Sequence, residues 1–147
     1  PTWDNHKAMF EGAGLTVRTY PYYDPATGGV RFAEMVATLR GLPARSIVLL
    51  HACCHNPTGV DLTREQWLTL IPVIRERELL PYLDLAYQGY GDGIDEDAFA
   101  PRLLADEGSA PPALPVPLLR EERDGVASAK AASSTDDCRP YSDIVNR

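Results

Sequence analysis

Basic residues, disulfide-forming cysteines and long apolar runs are all scarce in this 147-residue chain. Lys and Arg number 14 against 21 Asp and Glu, and the net charge of −7 disfavours nucleic acid as a partner because phosphate binding needs a basic patch. No apolar stretch approaches the roughly 20 residues that cross a bilayer, so we expect no membrane association. Three cysteines, two of them adjacent, form no disulfide framework and favour a reducing, cytoplasmic location.

The remaining composition is that of a globular protein. An apolar content of 44% is enough for the core of one domain. No initiator methionine or charged-then-apolar leader stands at the start, so the chain is expected to be an internal piece of a soluble protein.

Helices and strands alternate along the first 110 residues or so. Thr63 and Gln66 make a capping box that opens a helix, and Pro72 inside that helix should kink it or break it early. The predicted helices are 4–13, 32–40, 63–77 and 95–107, and the predicted strands are 15–20, 46–50 and 81–86. This order predicts an α/β fold with a mostly parallel sheet and helices outside.

Two loops that follow neighbouring strands carry the polar side chains of most interest. His51–Gly59 and Asp84–Gly89 lie at the carboxyl ends of strands, where ligands bind in such sheets. We therefore expect Asn56, Asp84 and Tyr87 to meet. An amide, a carboxylate and a phenol together suit a hydroxypyridine ring, and Asp84 stands in an apolar run where a charge is costly unless it is paired.

Each of these residues also has a structural interpretation when it is taken alone. An Asn-Pro-Thr-Gly sequence is usually only a turn. Tyr87 could belong to the core, and Trp3 could be an aromatic residue at the rim of a surface.

A metal site is the competing interpretation of His51, Cys53, Cys54 and His55. Structural zinc sites space their ligands as C-x2-4-C and H-x3-5-H. The ligands of this segment do not have that spacing. Adjacent cysteines in an extended segment would point to opposite sides. We therefore predict no metal site and expect both cysteines to act as small buried hydrophobes.

Several short sequence motifs of this chain occur together, in the same order, in one known family. They are Pro1-Thr-Trp, Asn5-His6, Gly12-Ala-Gly14, Leu42-Pro-Ala-Arg-Ser-Ile-Val-Leu-Leu-His51, His51-Ala-Cys-Cys-His-Asn-Pro-Thr-Gly59, Arg77-Glu-Leu-Leu-Pro-Tyr-Leu-Asp84 and Pro81-Tyr-Leu-Asp-Leu-Ala-Tyr-Gln-Gly89. From Pro1 to about Val116 the chain resembles the class I aminotransferases of the aspartate and aromatic-amino-acid group, most closely the tyrosine aminotransferases. The resemblance implies part of the large domain of the fold type I enzymes, which bind pyridoxal 5'-phosphate (PLP) and are homodimers.

The resemblance also implies roles for particular residues. Asp84 should keep the pyridine nitrogen of PLP protonated, because a nearby anion favours the cationic form. Asn56 and Tyr87 match the positions that hydrogen-bond the phenolate oxygen of the ring, and Trp3 matches the aromatic residue that lies over its face.

His6 and His51 match a network that supports Asp84. The reaction implied is the transfer of an amino group between an aromatic or dicarboxylic amino acid and 2-oxoglutarate by a ping-pong mechanism. The sequence does not decide between aspartate and aromatic substrates.

Residues 117–147 depart from the family, so we divide the chain into a partial PLP-binding domain, 1–116, and a tail that is disordered or frameshifted. The family has its Schiff-base lysine near Arg120, where this chain has Arg-Glu-Glu-Arg. Lys130 comes about ten residues later without the family's neighbours. Since no residue matches the catalytic lysine, this fragment is expected to be inactive. The alternative is a non-catalytic remnant that at most binds a partner or forms part of a dimer.

Overall fold

The computed structural model describes residues 2–106 and the backbone of residues 142–146. Helices and strands alternate as the sequence predicts, with an added short hairpin formed by β2 and β3. In chain order the elements are α1 (Asp4–Gly12), β1 (Thr16–Tyr20), β2 (Tyr23–Asp24), β3 (Gly29–Val30), α2 (Phe32–Arg40), β4 (Ile47–His51), α3 (Arg64–Glu76), β5 (Leu80–Asp84), α4 (Phe99–Asp106) and β6 (Ser142–Asn146).

Four strands form one parallel sheet in the order β1-β6-β4-β5, which confirms the predicted fold class. The register pairs Ile47 with Leu80 and, at the other end, His51 with Asp84. Both strands therefore end at the same level. The loops that follow them start side by side at the carboxyl edge of the sheet, as expected for a ligand site.

Helices cover both faces of the sheet. Val48 and Leu50 of β4 belong to the core cluster that includes residues of α2 and α3, whereas Leu49 packs with Phe10 of α1. Successive residues of a strand face opposite sides, so α1 lies across the sheet from α2 and α3. Burial of each large aliphatic side chain contributes about 1.5–3 kcal/mol, which makes this central strand a main source of stability.

Helix α3 begins at the predicted capping box but does not break at Pro72. The backbone N–H of Gln66 donates to Thr63 Oγ1 at 3.2 Å, and the N–H of Thr63 donates to Gln66 Oε1 at 2.9 Å. The helix continues through Pro72 to Glu76. Of the two outcomes predicted for Pro72, a kink or an early break, the break is wrong, because Ile71, Val73 and Ile74 are buried around the proline and their packing holds the helix together.

The end of β5 and the start of α4 differ from the predicted boundaries. Strand β5 runs from Leu80 to Asp84, two residues short of the predicted end. Helix α4 begins at Phe99 instead of residue 95, because the Asp97 carboxylate accepts N–H groups of the preceding loop and holds this segment in turns. The predicted end of this helix, after residue 106, lies outside the described residues.

Strand β6 lies in the segment for which the sequence predicts disorder. For these five residues the structure differs from that prediction, since they pair in parallel with both β1 and β4. The rest of the tail lies outside the described residues, and the division into 1–116 and 117–147 stays a prediction. Within the described part of the chain, no helix is long and apolar enough to cross a membrane.

Candidate active site

Asp84, the last residue of β5, is held by two histidines. Its Oδ2 atom lies 3.3 Å from His6 Nε2 and 3.5 Å from His51 Nδ1, and both imidazoles are buried. Its Oδ1 atom accepts the N–H of Ala86 at 3.1 Å. The carboxylate side chain is 19% exposed, so it is partly withdrawn from water, and each of its oxygens has a partner. This is the pairing that a charge in an apolar strand requires.

Thr2 joins the two histidines on the side away from Asp84. Its Oγ1 atom lies 3.0 Å from His6 Nδ1 and 2.9 Å from His51 Nε2. The sequence analysis missed Thr2, because nothing in its neighbourhood signals that it reaches the end of β4, 49 residues along the chain. Thr2, His6, His51 and Asp84 thus form a closed ring of polar contacts.

The four contacts limit which nitrogen of each imidazole can carry a proton. Burial lowers the pKa of His51 below its ordinary value, which favours the neutral imidazole with a single N–H. If Nδ1 of His51 donates to Asp84, its Nε2 must accept from the Thr2 hydroxyl, whose oxygen then accepts from His6 Nδ1. All four contacts are hydrogen bonds only when His6 also donates from Nε2 to Asp84. In this arrangement both imidazoles donate to Asp84, and Thr2 links them on the other side.

An open cleft of about 370 Å³ lies in front of Asp84. Trp3 is 46% exposed and meets the His6 ring edge-on, with 5.4 Å between ring centroids. Tyr87 is 48% exposed, so it is not a core residue. The cleft brings together all the predicted ring-binding residues and one of the supporting histidines: Trp3, His6, Asn56, Asp84 and Tyr87.

The loop after β4 is shaped by a residue that the sequence analysis did not single out. Asp61 accepts the backbone N–H groups of Cys54 and His55, each at 2.7 Å. The turn they form places Asn56 at the cleft. The sequence does not reveal this role, because Asp61 lies six or seven residues after the N–H groups whose hydrogen bonds it accepts. Contacts at that separation depend on the conformation of the whole turn.

His55 is a buried structural residue. Its ring stacks on Tyr22 at 4.3 Å between centroids, and its Nδ1 lies 2.7 Å from Thr58 Oγ1. Burial, followed by repulsion from His51, lowers the pKa of His55 to about 3, so the ring is neutral at physiological pH. Burial also raises the pKa of Cys53 to about 12 and keeps it a thiol, as expected of a small buried hydrophobe. The same expectation is wrong for Cys54, which is only partly buried.

The four residues of the competing metal interpretation do not converge. Among the described residues, two groups have ligand atoms within 4.8 Å of one another: His6, His51 and Asp84 form the first, and Cys53, Cys54 and Asp97 form the second. His51 therefore belongs to one group and the cysteines to the other, while His55 belongs to neither.

Acid should destabilise the fold through His55. Its folded-state pKa of about 3 lies below the ordinary 6.5, so the stability it contributes is complete above pH 6.5 and is lost as the pH falls towards 3. We expect the free energy of unfolding to fall by up to about 1.4 kcal/mol per pH unit across this window, measured by urea unfolding. His51 acts in the same direction. A His55→Phe variant, which can still stack on Tyr22, should show a shallower slope, and an unchanged slope would contradict this assignment.

No amine reaches the cleft from the described part of the chain. Lys7 is the only lysine in residues 2–106, and it lies on an exposed part of α1 with its Nζ atom 3.8 Å from Glu11 Oε1. Lys130 lies outside the described residues. Among residues 2–106, the cleft therefore offers a carboxylate, an amide, a phenol and an indole, but no lysine amine.

Comparison with known proteins decides the family. The sequence model of the family described as "Aminotransferase class I and II" matches residues 1–115. The chain belongs to this family. It is 62% identical over 108 residues to the aromatic-amino-acid aminotransferase of Escherichia coli, and 55% identical over 108 residues to the aspartate aminotransferase of Pseudomonas aeruginosa. Each match covers 74% of this chain and 27% of the relative, so the chain spans about a quarter of the length of these aminotransferases.

A solved structure supports the same assignment. The aromatic-amino-acid aminotransferase of Burkholderia pseudomallei, described as covalently bound to pyridoxal phosphate, is 54% identical, with a TM-score of 0.71. The match covers 71% of this chain and 26% of that one. The family assignment, the fold class and the PLP-dependent character of the family, all implied by the motifs in the sequence, are thereby confirmed.

The residues that line the cleft fit the ring of PLP. The Asp84 carboxylate is partnered on one side by two imidazoles, while Trp3, Asn56 and Tyr87 line the open side with one flat surface and two hydrogen-bonding groups. Such a donor set suits a protonated heteroaromatic ring that carries an oxygen. The roles of the individual residues stay predictions.

Proposed function

We propose that this chain forms the ring-binding part of the active site of a PLP-dependent aminotransferase. The observation that supports the proposal most directly is the position of Asp84, which stands at the carboxyl end of β5 between His6 and His51 and borders the cleft lined by Trp3 and Tyr87. When bound, PLP supplies the electron sink for the amino-transfer chemistry, and the protein orients and tunes it.

The residues of the cleft would each contribute one physical effect. Asp84 would lie near the ring nitrogen and favour its protonated form, while His6, 3.3 Å from the carboxylate, would hold it in place. Asn56 and Tyr87 donate hydrogen bonds to the ring oxygen and stabilise its negative charge. Trp3 covers one ring face with its indole and excludes water from that side.

We propose an aromatic or dicarboxylic amino acid and 2-oxoglutarate as the substrates. The names of the relatives support both classes, since the similar proteins include an aromatic-amino-acid and an aspartate aminotransferase. A homodimer and a cytoplasmic location complete the proposal; the odd number of cysteines and the absence of a disulfide framework favour the location.

A chimeric enzyme tests the proposal. Residues 1–115 of this chain would replace the matching segment of the Escherichia coli aromatic-amino-acid aminotransferase, with which it shares 62% identity. We expect the chimera to bind PLP and to transaminate tyrosine or aspartate with 2-oxoglutarate. The ratio of kcat/KM for the two amino acids then reports which substrate class this segment favours. A soluble, folded chimera with no activity towards either would contradict the proposal.

The alternative is that the 147-residue chain by itself is a non-catalytic remnant that at most binds a partner. The lack of a cleft lysine among residues 2–106 favours it. Sequencing the nucleotides that encode residues 116–123 separates a genuine tail from a reading-frame shift. A shifted frame should encode Lys-Asn in place of Glu121-Glu122, after serine or aromatic residues. If it does not, the tail is genuine and the frameshift hypothesis fails.

A further inference from the structure

We propose that Cys53, Cys54 and Asp97 form a binding site for a thiophilic divalent cation such as Zn²⁺ or Cd²⁺. Their ligand atoms, two sulfurs and a carboxylate oxygen, all lie within 4.8 Å of one another. Zn–S bonds are about 2.3 Å long and zinc sites are tetrahedral, so two sulfurs on one ion lie about 3.8 Å apart, and a side-chain adjustment of up to about 1 Å would allow them to share an ion. None of the three residues lines the cleft in front of Asp84, although Cys54 lines a neighbouring pocket with Asn56 and Tyr87.

The conformation of Cys54 brings the two sulfurs together. Its φ angle is +48°, in the left-handed region, instead of the extended value assumed in the sequence analysis. The hydrogen bonds from the Cys54 and His55 N–H groups to Asp61 hold this turn. The expectation that adjacent cysteines point to opposite sides is therefore wrong here, and the argument against shared coordination by the two thiols no longer applies.

The third ligand is a fixed carboxylate. Asp97 is 6% exposed, and its oxygens accept the N–H groups of Gly89, Gly91 and Asp92 at 2.8, 3.0 and 2.9 Å. Burial acts to raise the pKa of Asp97, but these hydrogen bonds lower it below the ordinary value, so the group is ionised. A carboxylate oxygen is one of the ligand types that zinc accepts beside thiolate sulfur.

Binding would exchange protons for the cation and would connect two loops. The two thiols lose one proton each as the two metal–sulfur bonds form, so two H⁺ are released for each ion bound and no redox partner is needed. Cys54 is partly exposed and gives the ion a route in, while its sulfur lies 3.7 Å from the carbonyl oxygen of Tyr87. An ion here would therefore tie the loop after β4 to the loop that carries Tyr87.

Titration of the full 147-residue chain with Cd²⁺ tests this site. A Cys138→Ser background removes the third cysteine. We expect a thiolate-to-cadmium charge-transfer absorption in the ultraviolet that saturates at one ion per chain. Cys53→Ala and Cys54→Ala should each weaken binding at least about tenfold, since each removes a direct ligand. His6→Ala is the matched control, because it disrupts the other group of clustered ligands, and it should leave the absorption unchanged.

Two results would overturn the proposal. One is Cd²⁺ affinity that survives the Cys53→Ala/Cys54→Ala double substitution; the other is affinity that is lost in His6→Ala but kept in the cysteine variants. If the cysteine-to-alanine variants do not fold, alkylation of the Cys138→Ser chain, in which cysteines 53 and 54 are intact, tests the site instead. One equivalent of Cd²⁺ should protect the partly exposed Cys54 from iodoacetamide, as mapped by mass spectrometry, and the absence of protection at Cys54 would equally overturn the site.

Discussion

Replacement of Asp84 by alanine in the chimeric enzyme is expected to lower kcat/KM at least about a thousandfold, equivalent to about 4 kcal/mol of transition-state stabilisation. The carboxylate borders the cleft from between His6 and His51, and in the role we propose for it, its loss would remove the charge that keeps the ring nitrogen protonated while negative charge develops. Asp84→Glu retains the charge at an altered distance and should keep part of the activity. Steady-state kinetics with tyrosine and 2-oxoglutarate measure both effects.

Asp95 provides the matched control for this substitution. Its side chain is 77% exposed and pairs with Arg102 at 2.7 Å, away from the cleft. Asp95→Ala should change kcat/KM by less than about twofold, because exposed ion pairs contribute little. If the Asp84→Ala enzyme turned over at the rate of the unsubstituted chimera, the assignment of the cleft to PLP would be wrong.

The unmodified 147-residue chain is expected to show no transamination and no site-directed covalent labelling by PLP. The reaction needs an amine beside the ring, and the only lysine in residues 2–106 is Lys7, whose ammonium group pairs with Glu11 on the exposed side of α1. Incubation with PLP, reduction with borohydride and peptide mapping measure the label. The chimera, which carries the remainder of the Escherichia coli enzyme, should be labelled on a lysine of that remainder.

The outcome at Lys130 is the critical one for this prediction. Stoichiometric label there, together with measurable transamination, would contradict the expectation that no residue of this chain replaces the family's lysine. Label on Lys7 that is unaffected by Asp84→Ala would mark reaction at an exposed amine and would leave the prediction intact.

Local sequence signals determined most of the secondary structure. The apolar run of β4 and the capping box of α3 each specify an element through neighbouring residues, because backbone preferences and caps act over a few positions. Short sequence motifs, in the order in which they occur along the chain, likewise identified the family. At Pro72 the tertiary structure differs from the early break that the sequence allowed. The buried neighbours of this proline outweigh its intrinsic cost in a helix.

The detailed site was decided by the tertiary structure. The sequence placed His6, His51 and Asp84 in one network through family resemblance, but only the β4–β5 register sets His51 beside Asp84, and only the entry into α1 brings Thr2 to both imidazoles. The left-handed turn at Cys54, which places two thiols near Asp97, also depends on a distant acceptor, Asp61. Contacts of this kind join residues from separate elements, and their distances depend on how the sheet and its loops assemble, which no local pattern of residues encodes.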